Sequence, residues 1–75
     1  PSRGLGDVYK RQVKAVADYT KAIELDPNFA EAYYNRGIAN INLKKTEEGI
    51  RDLSKAGELG LYNAYSIIKK YSNKK

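Results

Sequence analysis

The stretch Ala15-Val-Ala-Asp-Tyr-Thr-Lys-Ala-Ile-Glu-Leu-Asp-Pro-Asn-Phe-Ala-Glu-Ala-Tyr-Tyr-Asn-Arg-Gly37 closes one amphipathic helix and opens another within a few residues. Ala15, Val16, Tyr19, Ala22 and Ile23 fall at i, i+1, i+4, i+7 and i+8, an apolar stripe at the helical period. Lys14, Asp18, Lys21 and Glu24 keep the opposite side wet. Pro27 has no N–H and disfavours helical geometry at Asp26, so the first helix stops there. Asn28 is placed to cap the next helix, and Glu31 three residues later completes a capping-box pattern.

The second helix carries Ala30, Tyr33, Tyr34, Gly37, Ile38 and Ile41 and is expected to run out near Leu43. Lys44-Lys45 is a polar joint suited to the negative end of a helix dipole. Thr46 is the expected N-cap of a third helix, whose first turn holds Glu47 and Glu48. That helix has a face low in bulk, made by Gly49, Ile50, Leu53, Ala56 and Gly57, and Gly60 is its expected C-cap. Leu61, Ala64, Ile67, Ile68 and Tyr71 predict a fourth amphipathic helix. The connections are short, so the expected fold class is all-α, with antiparallel neighbouring helices.

A repeat runs through these elements. Asp18-Tyr-Thr-Lys-Ala-Ile-Glu-Leu25 recurs as Asp52-Leu-Ser-Lys-Ala-Gly-Glu-Leu59, displaced by 34 residues. A period of 34 with two helices per period resembles the tetratricopeptide repeat. Tyr33 stands where that family has an early aromatic, Gly37 where it has a small residue, and Gly49 and Ala56 match the small residues of its second helix. Asp26-Pro27 matches its closing turn. Three positions depart from the pattern. Arg36 replaces a commoner apolar residue, Asn40 a usual aromatic and Leu61 an expected proline, departures expected to weaken the core slightly, with Arg36 read as a partly buried stem whose charge reaches solvent or a neighbouring carboxylate. The resemblance implies an α-solenoid of helical hairpins: the second helix of one repeat over 13–26, a full repeat over 28–60, a capping helix over 61–72 and a basic tail over 73–75. Gly37, Gly49 and Ala56 are expected to let two backbones approach while Tyr19, Tyr33 and Leu53 fill the space around them.

Residues 1–12 read as a non-native leader. Gly4 and Gly6 interrupt the pattern where a helix of the repeat should lie, and Ser2 to Gln12 resembles the in-frame translation of a sequencing-library adapter. The natural protein would then be visible from about Val13, as the end of a longer array whose upstream repeats cover the first helix. Without them, the exposed face of helix 13–25 is expected to self-associate.

The chain of 75 residues carries a net charge of +5. Without Arg3, Asp7, Lys10 and Arg11 the balance falls to +3, and Lys69, Lys70, Lys74 and Lys75 exceed that on their own. The body is therefore near neutral, and neither nucleic acid nor membrane is the expected partner. The competing reading, an anionic surface held by those C-terminal lysines, is met more simply by a solvated helix end.

No Cys or His is present, which excludes thiol and imidazole nucleophiles, histidine bases and the common zinc sets. No glycine-rich phosphate loop opens a helix, and the adjacent Glu47 and Glu48 point apart on a helix. No cofactor and no metal are expected, and the chain is read as non-catalytic. The resemblance places a binding surface on the concave side, lined by the first helix of each repeat. Here it implies Glu31, Tyr34, Asn35, Ile38, Ile41 and Asn42 as contacts for a protein or peptide. Asn35 divides evenly between groove contact and a local structural role, while Ile38 and Ile41 read more readily as packing. Some members of the family grip carboxylates with Lys, Arg and Asn. Only Asn35 and Arg36 fit such a clamp, since Tyr34 and Ile38 occupy the places of a Lys and an Asn. The alternative to a peptide-binding scaffold is a terminus that only caps an array.

Overall fold

A computed structural model of the chain describes residues 2–72, with side chains from residue 8 onward. The tail at 73–75, with Lys74 and Lys75, lies outside the described residues. Four helices follow in order: α1 (Ser2–Leu25), α2 (Ala30–Asn42), α3 (Thr46–Glu58) and α4 (Asn63–Ser72). α2 packs against both α1 and α3, and α3 against α4. Connections of three or four residues hold consecutive helices side by side in a slab of 39 × 36 × 15 Å. No helix among the described residues is long and apolar enough to cross a membrane.

α1 is longer than the sequence pattern suggests. Its 24 residues run without a break through Gly4, Gly6 and the boundary at Val13. A glycine inside a helix costs about 1 kcal/mol relative to alanine, a preference that context overrides. At 1.5 Å per residue α1 is about 36 Å long and α2 about 20 Å, so the first turns of α1 overhang the hairpin. Val8 and Tyr9 are accordingly 52 % and 62 % exposed.

The joints depart from the expected caps. Asp26-Pro27-Asn28-Phe29 forms a turn closed by the Phe29 N–H on the Asp26 carbonyl at 3.0 Å, with proline at the position that favours its fixed φ. The Asn28 N–H bonds the Asp26 carboxylate at 3.2 Å, so Asn28 belongs to the turn, and Phe29 is the N-cap of α2 without a side-chain hydrogen bond. The capping box with Glu31 does not form. Thr46 is likewise the first residue of α3 rather than its cap, which is Lys45.

Both hairpin helices end in the same way. After α3, Gly60 takes φ +115°, its N–H bonds the Gly57 carbonyl at 3.0 Å, and the Leu61 N–H bonds the Ala56 carbonyl at 3.0 Å. This pair of bonds is a Schellman motif, which satisfies carbonyls that the helix end leaves without partners. After α2, Lys44 takes the left-handed position at φ 71°, with the Lys44 and Lys45 N–H groups on the Ile41 and Asn40 carbonyls at 2.9 and 2.8 Å. Leu61 is thus part of the α3 end, and α4 starts two residues later than expected.

The core lies between α2, α3 and α4. Ile41, Leu53, Ala56 and Ala64 are buried, with Tyr33, Tyr34, Ile38, Leu61, Ile67, Ile68 and Tyr71 packed around them. α2 and α3 cross at two glycines. A Cβ on Gly37 would lie 2.8 Å from the Gly49 carbonyl oxygen, and one on Gly49 would lie 2.5 Å from the Gly37 carbonyl oxygen. Backbone therefore meets backbone, as the small-residue pattern requires. Gly57 differs, because its neighbour is the ring of Tyr65, a side chain on the surface of α4.

Candidate functional site

α2 divides its surface between two grooves. Successive helical residues turn by about 100°, so Arg36 and Asn40 face one side while Ile38 and Asn42 face nearly the opposite one.

On the first side lies a polar groove of about 380 Å³, lined by residues of α1, α2 and α3 together with Lys45. Asp52 of α3 sits at its floor, 8 % exposed. Arg36 approaches it with two parallel bonds, Nε donating to Oδ2 at 2.9 Å and Nη2 to Oδ1 at 2.8 Å. Asn40 Nδ2 adds a third at 3.0 Å. The remaining Arg36 nitrogen, Nη1, donates to the Thr20 hydroxyl at 3.1 Å, and that hydroxyl donates to the Val16 carbonyl at 2.7 Å. The guanidinium also lies 5.7 Å from the Tyr33 ring centroid, within cation–π range. Hydrogen bonding to Asp52 and its charge hold the Arg36 pKa above its ordinary value, against the desolvation that pulls it down. Three helices are joined by one set of mutually satisfied groups. Asn40, a departure expected to weaken the core slightly, instead shares the Asp52 carboxylate with Arg36, and Asp52 is the neighbouring carboxylate that the Arg36 charge was expected to reach.

The second side faces α4. A smaller, mostly apolar groove of about 160 Å³ is lined by Ile38, Ile41 and Asn42 of α2 and by Ile67, Lys70 and Tyr71 of α4. Helical spacing puts Glu31, Tyr34, Asn35, Ile38 and Asn42 along one stripe of α2, but only part of that stripe lines the groove. Ile41 is 8 % exposed and is chiefly a core residue with an edge in the groove. Tyr34 and Ile38 are half-buried and pack on the core. Glu31 and Asn35 are exposed outside the groove. The sequence did not point to the α4 wall: Ile67 and Tyr71 were read only as part of the apolar stripe of the fourth helix, and Lys70 as part of a solvated helix end. The spacing of Ile67, Lys70 and Tyr71 at i, i+3 and i+4 puts them on one face and was the available signal.

The charged joint between α2 and α3 lines a third, shallow depression of Lys44, Lys45, Thr46, Glu47 and Glu48. Among the described residues no group of three or more potential metal-ligating side chains converges.

Comparison with known proteins agrees with this architecture. Residues 12–44 match a TPR repeat profile, and residues 30–59 match a second one, described as tetratricopeptide repeat. The serine/threonine-protein phosphatase T of Aspergillus oryzae is 45 % identical over 38 residues, covering 51 % of this chain and 8 % of that protein. The UDP-N-acetylglucosamine–peptide N-acetylglucosaminyltransferase of Giardia intestinalis is 35 % identical over 70 residues, covering 89 % of this chain and 5 % of that protein. The human protein O-mannosyl-transferase TMTC3 is 32 % identical over 65 residues, covering 77 % and 7 % respectively. The chain thus spans less than a tenth of each of these relatives. No solved structure matches significantly.

Proposed function

The chain belongs to the tetratricopeptide repeat family, and from that premise we propose that it is a non-catalytic protein-interaction module whose partner lies in the groove between α2 and α4. One observation carries the reading: Ile38, Ile67 and Tyr71 form an apolar trough edged by Asn42 and Lys70. An apolar side chain of a peptide or helix fits the trough. Asn42 can then bond its backbone, and Lys70 favours an acidic neighbour. The enzymatic names of the relatives describe proteins more than ten times the length of this match, so they add no reaction to this segment.

The test is selection of peptides from a displayed library, followed by affinity measurement on variants. Tyr71→Ala and Ile38→Ala are expected to weaken selected peptides by about 10-fold or more, in line with loss of an aromatic or aliphatic anchor. Lys70→Glu is expected to penalise acidic peptides alone. Selected peptides that bind all three variants unchanged would exclude this groove.

A second reading, a terminus that caps an array, is favoured by the cover α4 lays on α3. Leu53, Ala56 and Ala64 have no exposed surface. It separates from the first when Tyr34→Ala or Tyr71→Ala leaves both partner binding and the groove-selected peptides unaffected while lowering the melting temperature.

A further inference from the structure

The polar groove around Arg36 carries charge that the fold does not use. An arginine has five N–H groups, and Arg36 commits three of them, two to Asp52 and one to Thr20. One N–H on each terminal nitrogen is left without a partner among the described residues, and the side chain, 21 % exposed, lines the groove. The guanidinium is nonetheless fixed. The carboxylate holds one edge, the Thr20 hydroxyl holds one terminal nitrogen, and the Tyr33 ring lies 5.7 Å away. A donor ordered in this way loses little rotamer freedom when a further acceptor arrives.

Lys45 and Arg51 line the same groove. Both are exposed, and neither makes an ion pair among the described residues. Of the two carboxylates there, Asp52 is committed to Arg36 and Asn40, while Glu48 is exposed and makes no ion pair among the described residues. Arg36, Lys45 and Arg51 against Glu48 and Asp52 leave the lining with a single excess positive charge. One carboxylate balances that charge, whereas a phosphorylated side chain brings nearly twice as much. Val16 and Thr20 of α1 form an uncharged wall. The sequence set Asn35 beside Arg36 as the pair suited to grip a carboxylate, yet Asn35 lies outside this groove. Lys45 and Arg51 are the companions that the fold supplies instead.

We propose that this groove receives one acidic side chain of a partner protein, its carboxylate bonded by the uncommitted Arg36 N–H groups and drawn in by Lys45 and Arg51. The occupant is chosen by charge complementarity, and Val16 offers apolar surface to the methylenes that carry the carboxylate. Glu48 opposes this ligand, so its removal has a sign opposite to that of the two cations. The site lies across α2 from the trough of Ile38, Ile67 and Tyr71, and either stands if the other fails.

An array of short peptides tests it, each blocked at both ends and carrying a fixed central glutamate, glutamine or phosphoserine. Blocking the ends leaves the side chain as the source of the oxyanion. The glutamate series binds the chain, the glutamine series does not, and added salt weakens the complex. Selected glutamate peptides are then titrated against variants whose folding is verified by circular dichroism. Lys45→Ala and Arg51→Ala each weaken them by about 3- to 5-fold, and Glu48→Gln tightens them by about the same factor. Lys55→Ala removes the same charge from α3 outside the groove and changes affinity by less than about 2-fold. The Arg36 Nε–H signal, followed by NMR, shifts during the titration. An array without glutamate binders, glutamine peptides that bind equally well, or a preference for phosphoserine overturns the proposal. Equal losses in Arg51→Ala and Lys55→Ala, or an Arg36 signal that does not respond, overturn it as well.

Discussion

At the scale of single residues, Asp52 is the position on which most depends. Its carboxylate is mostly withdrawn from water and takes three donors from α2. Asp52→Ala removes the acceptor that Arg36 and Asn40 share, leaving Arg36 only the Thr20 hydroxyl, and is expected to cost about 2–4 kcal/mol by urea denaturation. Arg36→Ala is expected to cost at least as much, because it strips the charge partner from a buried carboxylate and leaves Asn40 alone to serve it. The double variant should be milder than the sum of the singles, and additivity would show that the three side chains do not act as a set. The raised pKa of Arg36 has a definite sign: its contribution is present below the ordinary arginine value and lost only as pH rises through the higher folded value. No ordinary working pH removes that charge. The glycines give a second contrast. Gly49→Ala drives a methyl group into the Gly37 carbonyl and is expected to destabilise by about 1–3 kcal/mol, with Gly49→Leu worse. Gly57→Ala meets the Tyr65 ring, which is 45 % exposed and can move, so its cost should be the smaller of the two. Equal melting temperatures for the two alanine variants would contradict a backbone contact at the crossing.

At the scale of elements, the two Schellman ends differ in one respect. Gly60 occupies its left-handed position without a Cβ, whereas Lys44 occupies the same position with one, at φ 71°. For a residue with a Cβ this conformation costs about 1–2 kcal/mol, of which glycine returns part through its freedom when unfolded. Lys44→Gly is therefore expected to stabilise the α2–α3 hairpin by about 0.5–1 kcal/mol, raising the melting temperature by roughly 3–6 °C. Lys44→Val should lower it, because β-branching makes the same backbone worse. The ends of α2 and α3 share a register of backbone bonds although one reads Lys-Lys and the other Gly-Leu. Tertiary contact between α2 and α3, brought together at Gly37 and Gly49, holds the lysine joint in a geometry that glycine adopts at less cost.

At the scale of the molecule, the hairpin α2–α3 is the centre and the outer helices complete it unequally. α4 covers α3 and leaves the apolar groove of Ile38, Ile67 and Tyr71. α1 is held to α2 at one face and leaves another open along an overhang. A chain of this size buries a small share of its surface, so its stability rests heavily on this one hairpin and the helices packed on it. If the exposed face of helix 13–25 self-associates, as the sequence leads one to expect, the melting temperature rises with protein concentration by mass action. A concentration-independent melt of the wild-type chain would mean that each copy stands alone.

Most of the fold was legible in the sequence because it rests on local signals. Apolar spacing of 3 and 4 residues, Pro27 after Asp26, and the recurrence of Asp18–Leu25 at Asp52–Leu59 specify helices, a break and a repeat without any knowledge of distant contacts. The small residues Gly37 and Gly49 further disclosed where two helices approach. The candidate groove was half legible: its α2 wall followed from one helical stripe, while its α4 wall depended on how Ile67, Lys70 and Tyr71 come to face that stripe. What only the tertiary structure decided was pairing across elements. Read along α2, Asn40 looks like a defect and Arg36 like a charge whose carboxylate is unnamed; α3 delivers Asp52 to both, and α1 delivers Thr20 to Arg36. The helical state of residues 2–12 likewise lies beyond single-residue preferences, since two glycines weaken a helix without forbidding it. Sequence determines which faces are apolar and where a helix can stop; only the packed chain determines which polar group finds which partner, because such pairs join residues that periodicity cannot relate.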